Sequence, residues 1–221
     1  MKIQDIKGLK YPDDYFIKYF FKHGFQSVQN YLFLELGSSN GCNLTLPYQY
    51  GLDVMGVDLN DTLINFANDN FCNLQDKNSY KFISEDMREF CKNSSNINAD
   101  ILVLASSIYY IPKNDFIELL KNIKKNNLIK QNISLFIRFR EIDDFRNGKG
   151  EKIDENGYIL NNGITGEDGA FCQFYDTNEM IHILKQELDL RDFQTMSLKY
   201  DNIQNNKRVN NSEVVIWGTI N

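Results

Sequence analysis

Apolar and polar positions alternate along the chain in blocks of two kinds. Short apolar-rich runs at residues 31–36, 54–58, 80–84, 99–107 and 133–139 read as strands, the first as a buried parallel one. Between and around them lie stripes at helical spacing. Tyr15, Phe16, Tyr19, Phe20 and His23 follow Pro12-Asp13-Asp14, a good helix start, and predict a helix across residues 11–23. Leu63, Ile64, Phe66, Ala67 and Phe71 predict a second, Phe116, Leu119, Leu120 and Ile123 a third, and Met180, Ile181, Leu184 and Leu188 a fourth. Leu44 and Leu46 begin a further helix that Pro47 should cut short. The runs at 193–200 and 214–220 read as two final strands around an Asn-rich stretch, 202–211, of turn-like and mobile composition. Strand and helix alternate five times, which predicts an α/β fold with a doubly wound, mostly parallel sheet and all strand ends on one edge. Ligands of such sheets bind outside that edge, beside the first strand.

At 221 residues the chain suits one domain, and its 42% hydrophobic and 13% aromatic content is that of an ordinary soluble globular protein. The 24 basic and 30 acidic residues give a net charge of −6 with the basic groups interspersed, which argues against a nucleic-acid partner. No apolar run is long enough to span a membrane. The four cysteines, Cys42, Cys72, Cys91 and Cys172, have no C-x-x-C spacing and follow no apolar signal segment, so free thiols in the cytoplasm are expected. With only His23 and His182 present and no Cys/His grouping, no metal site is expected. Composition leaves monomer and homodimer open.

The chemistry gathers at the ends of the runs. The first passes through Glu35 into Gly37-Ser38-Ser39-Asn40-Gly41, a turn that needs glycine backbone angles and lets a ligand lie against the main chain. Glu35 would repel a pyrophosphate and hold an ammonium group, and the glycine spacing differs from the dinucleotide fingerprint G-x-G-x-x-G. The second run ends in Asp58, where one carboxylate can accept from both hydroxyls of a ribose; Asp58 can equally cap the helix starting near Asp61.

The loop Glu35-x-Gly37-x-Ser39-x-Gly41 resembles the first motif of class I S-adenosylmethionine-dependent methyltransferases, (D/E)-x-G-x-G-x-G, with Ser39 in place of the middle glycine. The resemblance covers residues 30–140 by motif and the remainder by element order. It implies a seven-stranded sheet closed by a reversed C-terminal strand and S-adenosylmethionine as cofactor, held by Glu35, Gly37, Ser38, Ser39, Gly41, Asp58, Leu59, Asp86, Met87 and Ser106. By position Asp86 would accept from the adenine amino group, with Glu85 as the alternative if the register shifts by one, and the Met87 amide would reach the ring. The end of the fourth run, Ser106-Ser107-Ile108-Tyr109-Tyr110, matches only a loose form of the family's acceptor-facing motif, without N-P-P-Y.

Residues 141–175 hold six of the 13 glycines with a possible hairpin near Tyr158, and they follow the fifth run, so they are expected to form an acceptor-binding cap over the active edge. The helical segment 1–29 is either a docking element or a lid. Tyr15, Tyr109, Tyr110, Arg138 and Arg140 are candidate substrate-binding residues, the arginines suited to a phosphate or carboxylate. His23, Tyr110 and Glu141 are candidate bases. The expected activity is O- or N-methylation of a small molecule, such as an anionic metabolite or activated sugar. A nicotinamide-dependent oxidoreductase and a non-catalytic nucleoside-binding module are the alternatives.

Overall fold

The apolar runs form five parallel strands in the computed structural model, which describes residues 2–74 and 78–221. These are β1 (Leu32–Leu36), β2 (Asp53–Asp58), β3 (Tyr80–Ser84), β4 (Ala99–Ala105) and β5 (Ile129–Arg140), with β1 and β4 in the middle of the sheet and β3 at its edge. Residues after β5 form β6 (Gly150–Asp154), β7 (Gly157–Leu160) and β8 (Phe171–Gln173), then the long pair β9 (Arg191–Gln204) and β10 (Lys207–Ile220). The main sheet has the order β3-β2-β1-β4-β5-β10-β9, with β10 antiparallel to both of its neighbours, as the predicted reversed strand requires. Reversal of order beside β1 creates a crevice at the carboxyl edge between β1 and β4.

Period-two alternation sends Phe33 to one face of the sheet and Leu34 and Leu36 to the other. Helices α1 (Asp14–Lys22), α2 (Thr45–Gln49) and α3 (Asp61–Leu74) cover the Phe33 face; α4 (Met87–Asn93), α5 (Lys113–Lys125) and α6 (Thr177–Leu188) cover the other. Glu35 falls on the Phe33 face, in register with Gly56 and Val103.

Helix α1 begins at Asp13, whose carboxylate accepts from the Tyr15 and Phe16 amides. Its Phe16, Tyr19 and Phe20 are fully buried against Phe33 and Phe136, each contributing roughly 1.5–3 kcal/mol of transfer free energy. The helix therefore docks on the sheet, and it is the segment before it that crosses the Gly loop. Asn40 Nδ2 donates to the carbonyls of Lys7 (2.6 Å) and Leu9 (2.8 Å), and Asn70 brackets Lys7 through both its amide and its carbonyl.

Three expectations are corrected by local chemistry. Pro47 sits inside α2 without ending it, because it occupies the first turn, where a helical N–H has no partner to lose. The Asn-rich stretch 202–211 is paired strand: Asn205 and Asn206, at φ +49° and +60°, make a two-residue hairpin turn that fixes Lys207 opposite Gln204. Residues 141–175 form not one hairpin but the three-stranded sheet β6-β7-β8, turned at Asn156 (φ +56°).

Candidate active site

A cleft of 590 Å³ opens at the carboxyl edge of β1, β2 and β4. It is lined by Glu35, Gly37, Ser38, Ser39, Asp58, Leu59, Asp86, Met87, Ser106 and Tyr110 among the residues singled out by sequence. It also takes in Leu9, Asn43, Asn60, Arg88 and Ser107, which the sequence did not single out.

The Gly loop is built from backbone angles. Gly37 turns the chain at φ +80°, and a Cβ there would collide with the Ser107 side chain, whose hydroxyl donates to the Leu36 carbonyl (2.6 Å). Ser39 adopts the left-handed angle, φ +51°, that a glycine would take without strain, so the departure from the motif leaves the turn's shape intact. Gly41 does not line the cleft; at φ +74° it lets the loop close on Phe71 and Phe82. Ser106, at φ +58°, is the second strained residue at the cleft, with its amide bonded to the Arg138 carbonyl.

Glu35 is 1% exposed. Its Oε1 accepts from Asn43 Nδ2 at 2.7 Å, and its Oε2 is buried without a partner. Burial pushes its carboxyl up to about 8, with the nearby carboxylates of Asp13 and Asp58 adding to the rise and the Asn43 bond opposing it. Ser38 Oγ is a second buried atom without a partner at the same end of the cleft. Cys42 also reaches the cleft, but burial foremost, then Glu35, pushes its thiol up to about 12, which keeps it protonated and unreactive.

Asp58 accepts from the Ser39 amide through Oδ2 (2.8 Å) and from the Asn60 amide through Oδ1 (2.9 Å), tying the Gly loop to the end of β2. The cap of α3 is Asn60, whose Oδ1 accepts from Thr62 and Leu63, so Asp58 is not the helix cap. Each Asp58 oxygen keeps a second lone pair for a ligand.

Asp86 caps α4 through the Arg88 amide, and its carboxylate is gripped by the Arg88 guanidinium, which also reaches Asp115. That guanidinium holds the Asp86 carboxyl below the usual range, against the opposing effect of burial. Met87 follows at the first helical position, and it is Asp86 rather than Glu85 that reaches the cleft.

On the β4–β5 side the charges are already paired. Arg138 bonds Asp13 and Glu213, and Arg140 bonds Glu167, which also holds Arg146. Arg140 is 5% exposed, lies 4.3 Å over the Tyr109 ring and contacts Cys172 Sγ. Neither arginine is a free cation aimed into the cleft, which removes the basis for expecting an anionic acceptor. Tyr109 is buried under Arg140 as a packing residue; Tyr110 is exposed to the cleft and donates to Glu167 (3.2 Å). Tyr15 lies outside the cleft lining, with the Arg138 and Lys18 cations over its ring.

Two of the candidate bases are placed elsewhere. His23 ends α1, which runs from Asp13 at the carboxyl edge towards the opposite edge; it stacks on Phe25 and abuts Tyr19 and Trp217. Desolvation, then Lys22, lowers its pKa. Glu141 accepts from Thr177 and Ser212 and pairs with Lys199, outside the cleft lining. Among the described residues no helix is long and apolar enough to cross a membrane.

No family model and no curated protein sequence matches the chain. Solved structures do. A methyltransferase of the S-adenosylmethionine-dependent class from Methanosarcina mazei superposes at TM-score 0.69 with 16% identity, over 90% of this chain and 96% of that one. One from Archaeoglobus fulgidus superposes at 0.59 with 14% identity, over 95% and 100%. Magnesium protoporphyrin IX methyltransferase from Synechocystis, solved with bound S-adenosylmethionine, superposes at 0.55 with 13% identity, over 91% and 76%. Strand order, the reversed β10 and these superpositions together show that the chain has the class I S-adenosylmethionine-dependent methyltransferase fold.

Proposed function

We propose that this protein is an S-adenosylmethionine-dependent methyltransferase acting on a small-molecule acceptor at oxygen or nitrogen. The observation that carries the proposal is the buried Glu35 carboxyl with Oε2 unpaired at the head of the cleft. A buried carboxyl with one oxygen unsatisfied is costly unless a ligand cation completes it. The amino group of S-adenosylmethionine fits that need, whereas a dinucleotide would bring a pyrophosphate against an acid.

The remaining lining residues suit the same cofactor. Asp58 would accept from the ribose hydroxyls, the Met87 amide and the Leu59 side chain would meet the adenine, and Gly37, Ser38 and Ser39 would let the amino-acid end approach the backbone. Asp86, committed to Arg88, would act on the base only through its remaining lone pairs. When bound, the cofactor supplies an electrophilic methyl group on a sulfonium.

The chain's own task is alignment and exclusion of water. Ser106 and Tyr110 would face the acceptor, with Tyr110 the one candidate base that lines the cleft. The 141–175 segment would cap the acceptor side through Glu167, and residues 7–13 would close the cofactor side. With Arg138 and Arg140 neutralised from within, the acceptor need not be an anion.

Calorimetric titration with S-adenosylhomocysteine and, separately, with NAD tests the proposal. Micromolar binding of the homocysteine adduct at one site and no binding of NAD is the expected result; NAD binding, or binding of neither, overturns it. At pH 7 the ionisation of Glu35 on cation binding should release a proton, seen as a heat that varies with the buffer's ionisation enthalpy.

A further inference from the structure

Asn43 stands on the loop after Gly41 and touches two elements that are distant in sequence. Its Oδ1 accepts from the backbone N–H of Asp13, at 2.8 Å, and its Nδ2 donates to Glu35 Oε1 at 2.7 Å. The orientation of the amide follows from its partners: a backbone N–H admits only an oxygen, which leaves the NH₂ for the carboxyl. Asn43 is 8% exposed, so neither bond is exchanged freely with water.

With Oε1 held, Glu35 has one rotational choice, and Oε2 is the oxygen left without a partner at the cleft. The Asn43 amide thus joins the entry of α1 and the Gly loop to β1, and the Asp13 carboxylate carries the chain of contacts on to Arg138 and Glu213 at the end of β5.

We infer that Asn43 is a positioning residue that fixes Glu35 for an ammonium ligand and makes that capture depend on the N-terminal segment being docked through Asp13. The inference rests on the proposed cofactor reading and extends it to selectivity: the site would favour adenosyl sulfur compounds that retain the α-amino group over those that lack it.

The groups facing Glu35 are few. Asp13 precedes α1, Cys42 lies on the Gly loop and Asp58 ends β2; the flanking strand positions, Gly56 and Val103, carry no charge, and Arg138 on β5 engages Asp13. All three titratable neighbours are acids, so the Asn43 bond is the contact that favours the ionised carboxylate.

The test uses two probes, S-adenosylhomocysteine and 5′-methylthioadenosine, which lacks the amino-acid end. In the full-length wild type, affinity for the first should rise with pH towards about 8, while affinity for the second stays level. In Asn43→Ala, and in the milder Asn43→Ser, the rise should move up by about one pH unit, weakening S-adenosylhomocysteine about tenfold at pH 7.5 and 5′-methylthioadenosine less than about twofold. Equal losses for both probes, or an unmoved pH profile, overturn the inference while leaving the cofactor reading standing. Absence of S-adenosylhomocysteine binding to the wild type overturns both.

Should neither variant fold, the wild type still decides. The Asn43 side-chain NH₂ resonances should titrate with the Glu35 midpoint in the ligand-free protein, and resonances that stay constant from about pH 6 to about pH 9.5 overturn the inference.

Discussion

The two halves of the carboxyl edge treat their charges in opposite ways. At the ends of β1 and β2, Glu35 keeps an unpaired oxygen, Ser38 an unpaired hydroxyl, and Asp58 only backbone partners. At the end of β5 and in the loop that follows it, Arg138, Arg140 and Arg146 are each held by carboxylates of the chain itself. Polar groups left incomplete at a concave site await a ligand; completed ones hold structure. The first half therefore has polar groups to offer a ligand, as the proposed cofactor reading requires, and the second is the joint by which the β6-β7-β8 sheet is fastened to the core.

The largest effect that separates the halves is expected at Glu167. It is the common acceptor for Arg140, Arg146 and Tyr110, and Glu167→Ala would leave two buried guanidinium groups short of a partner. A loss of about 3 kcal/mol is expected, a fall in Tm of about 6–12 °C, with S-adenosylhomocysteine affinity within threefold of the wild type. Differential scanning calorimetry and titration on the same sample check this; a large loss of affinity without a loss of stability would show that the joint belongs to the ligand side.

Asp58→Ala should behave in the reverse sense. With the proposed ribose role, its removal is expected to weaken S-adenosylhomocysteine about thirtyfold, or about 2 kcal/mol, with a smaller loss of stability from the freed Ser39 and Asn60 amides. Unchanged affinity would remove the ribose role.

Glu35→Gln sharpens the contrast through pH. The folded protein holds the Glu35 proton up to about 8, while an unfolded chain releases it near 4.5, so wild-type stability falls as pH climbs through that window and levels off above it. Glutamine cannot ionise. The variant should therefore lose this part of the pH dependence and melt higher than the wild type at pH 8.5, while binding S-adenosylhomocysteine about tenfold more weakly there. Parallel Tm curves for the two proteins from pH 5 to 9 would show that Glu35 does not titrate as a buried acid.

The open half was the more legible in sequence. A strand that ends in an acid and a glycine turn leaves its mark within seven residues, and Glu35, Gly37, Ser38, Ser39 and Asp58 all reach the cleft. The joint was not legible because its members are brought together by tertiary contact: Arg140 and Glu167 are 27 residues apart, and Arg138 and Glu213 are 75. Seen alone, an arginine at a strand end looks like an anion site. Asn43 escaped for a related reason, since an asparagine after a glycine turn is unremarkable until the Asp13 amide arrives beside it. His23 shared the stripe of Phe16 and Phe20, yet helix direction carried it to the far end of α1. The Asn-rich hairpin misled through composition: Asn205 and Asn206 are there for their positive φ, and the flanking asparagines pair along the strands.

The smallest effect concerns the one departure from the resembled motif. Ser39 sits at φ +51°, where a side chain costs about 1 kcal/mol and a glycine costs nothing. Its contact in the loop is made by its backbone amide, donated to Asp58, and a glycine retains that amide. Against the relief of strain stands the greater freedom of a glycine in the unfolded chain, worth about 0.4–1 kcal/mol in the other direction. Ser39→Gly should therefore shift stability by no more than about 0.5 kcal/mol and leave S-adenosylhomocysteine affinity within twofold. Were affinity to fall tenfold, the serine hydroxyl would itself be a ligand contact, and the open half would hold one more polar group than the backbone account requires.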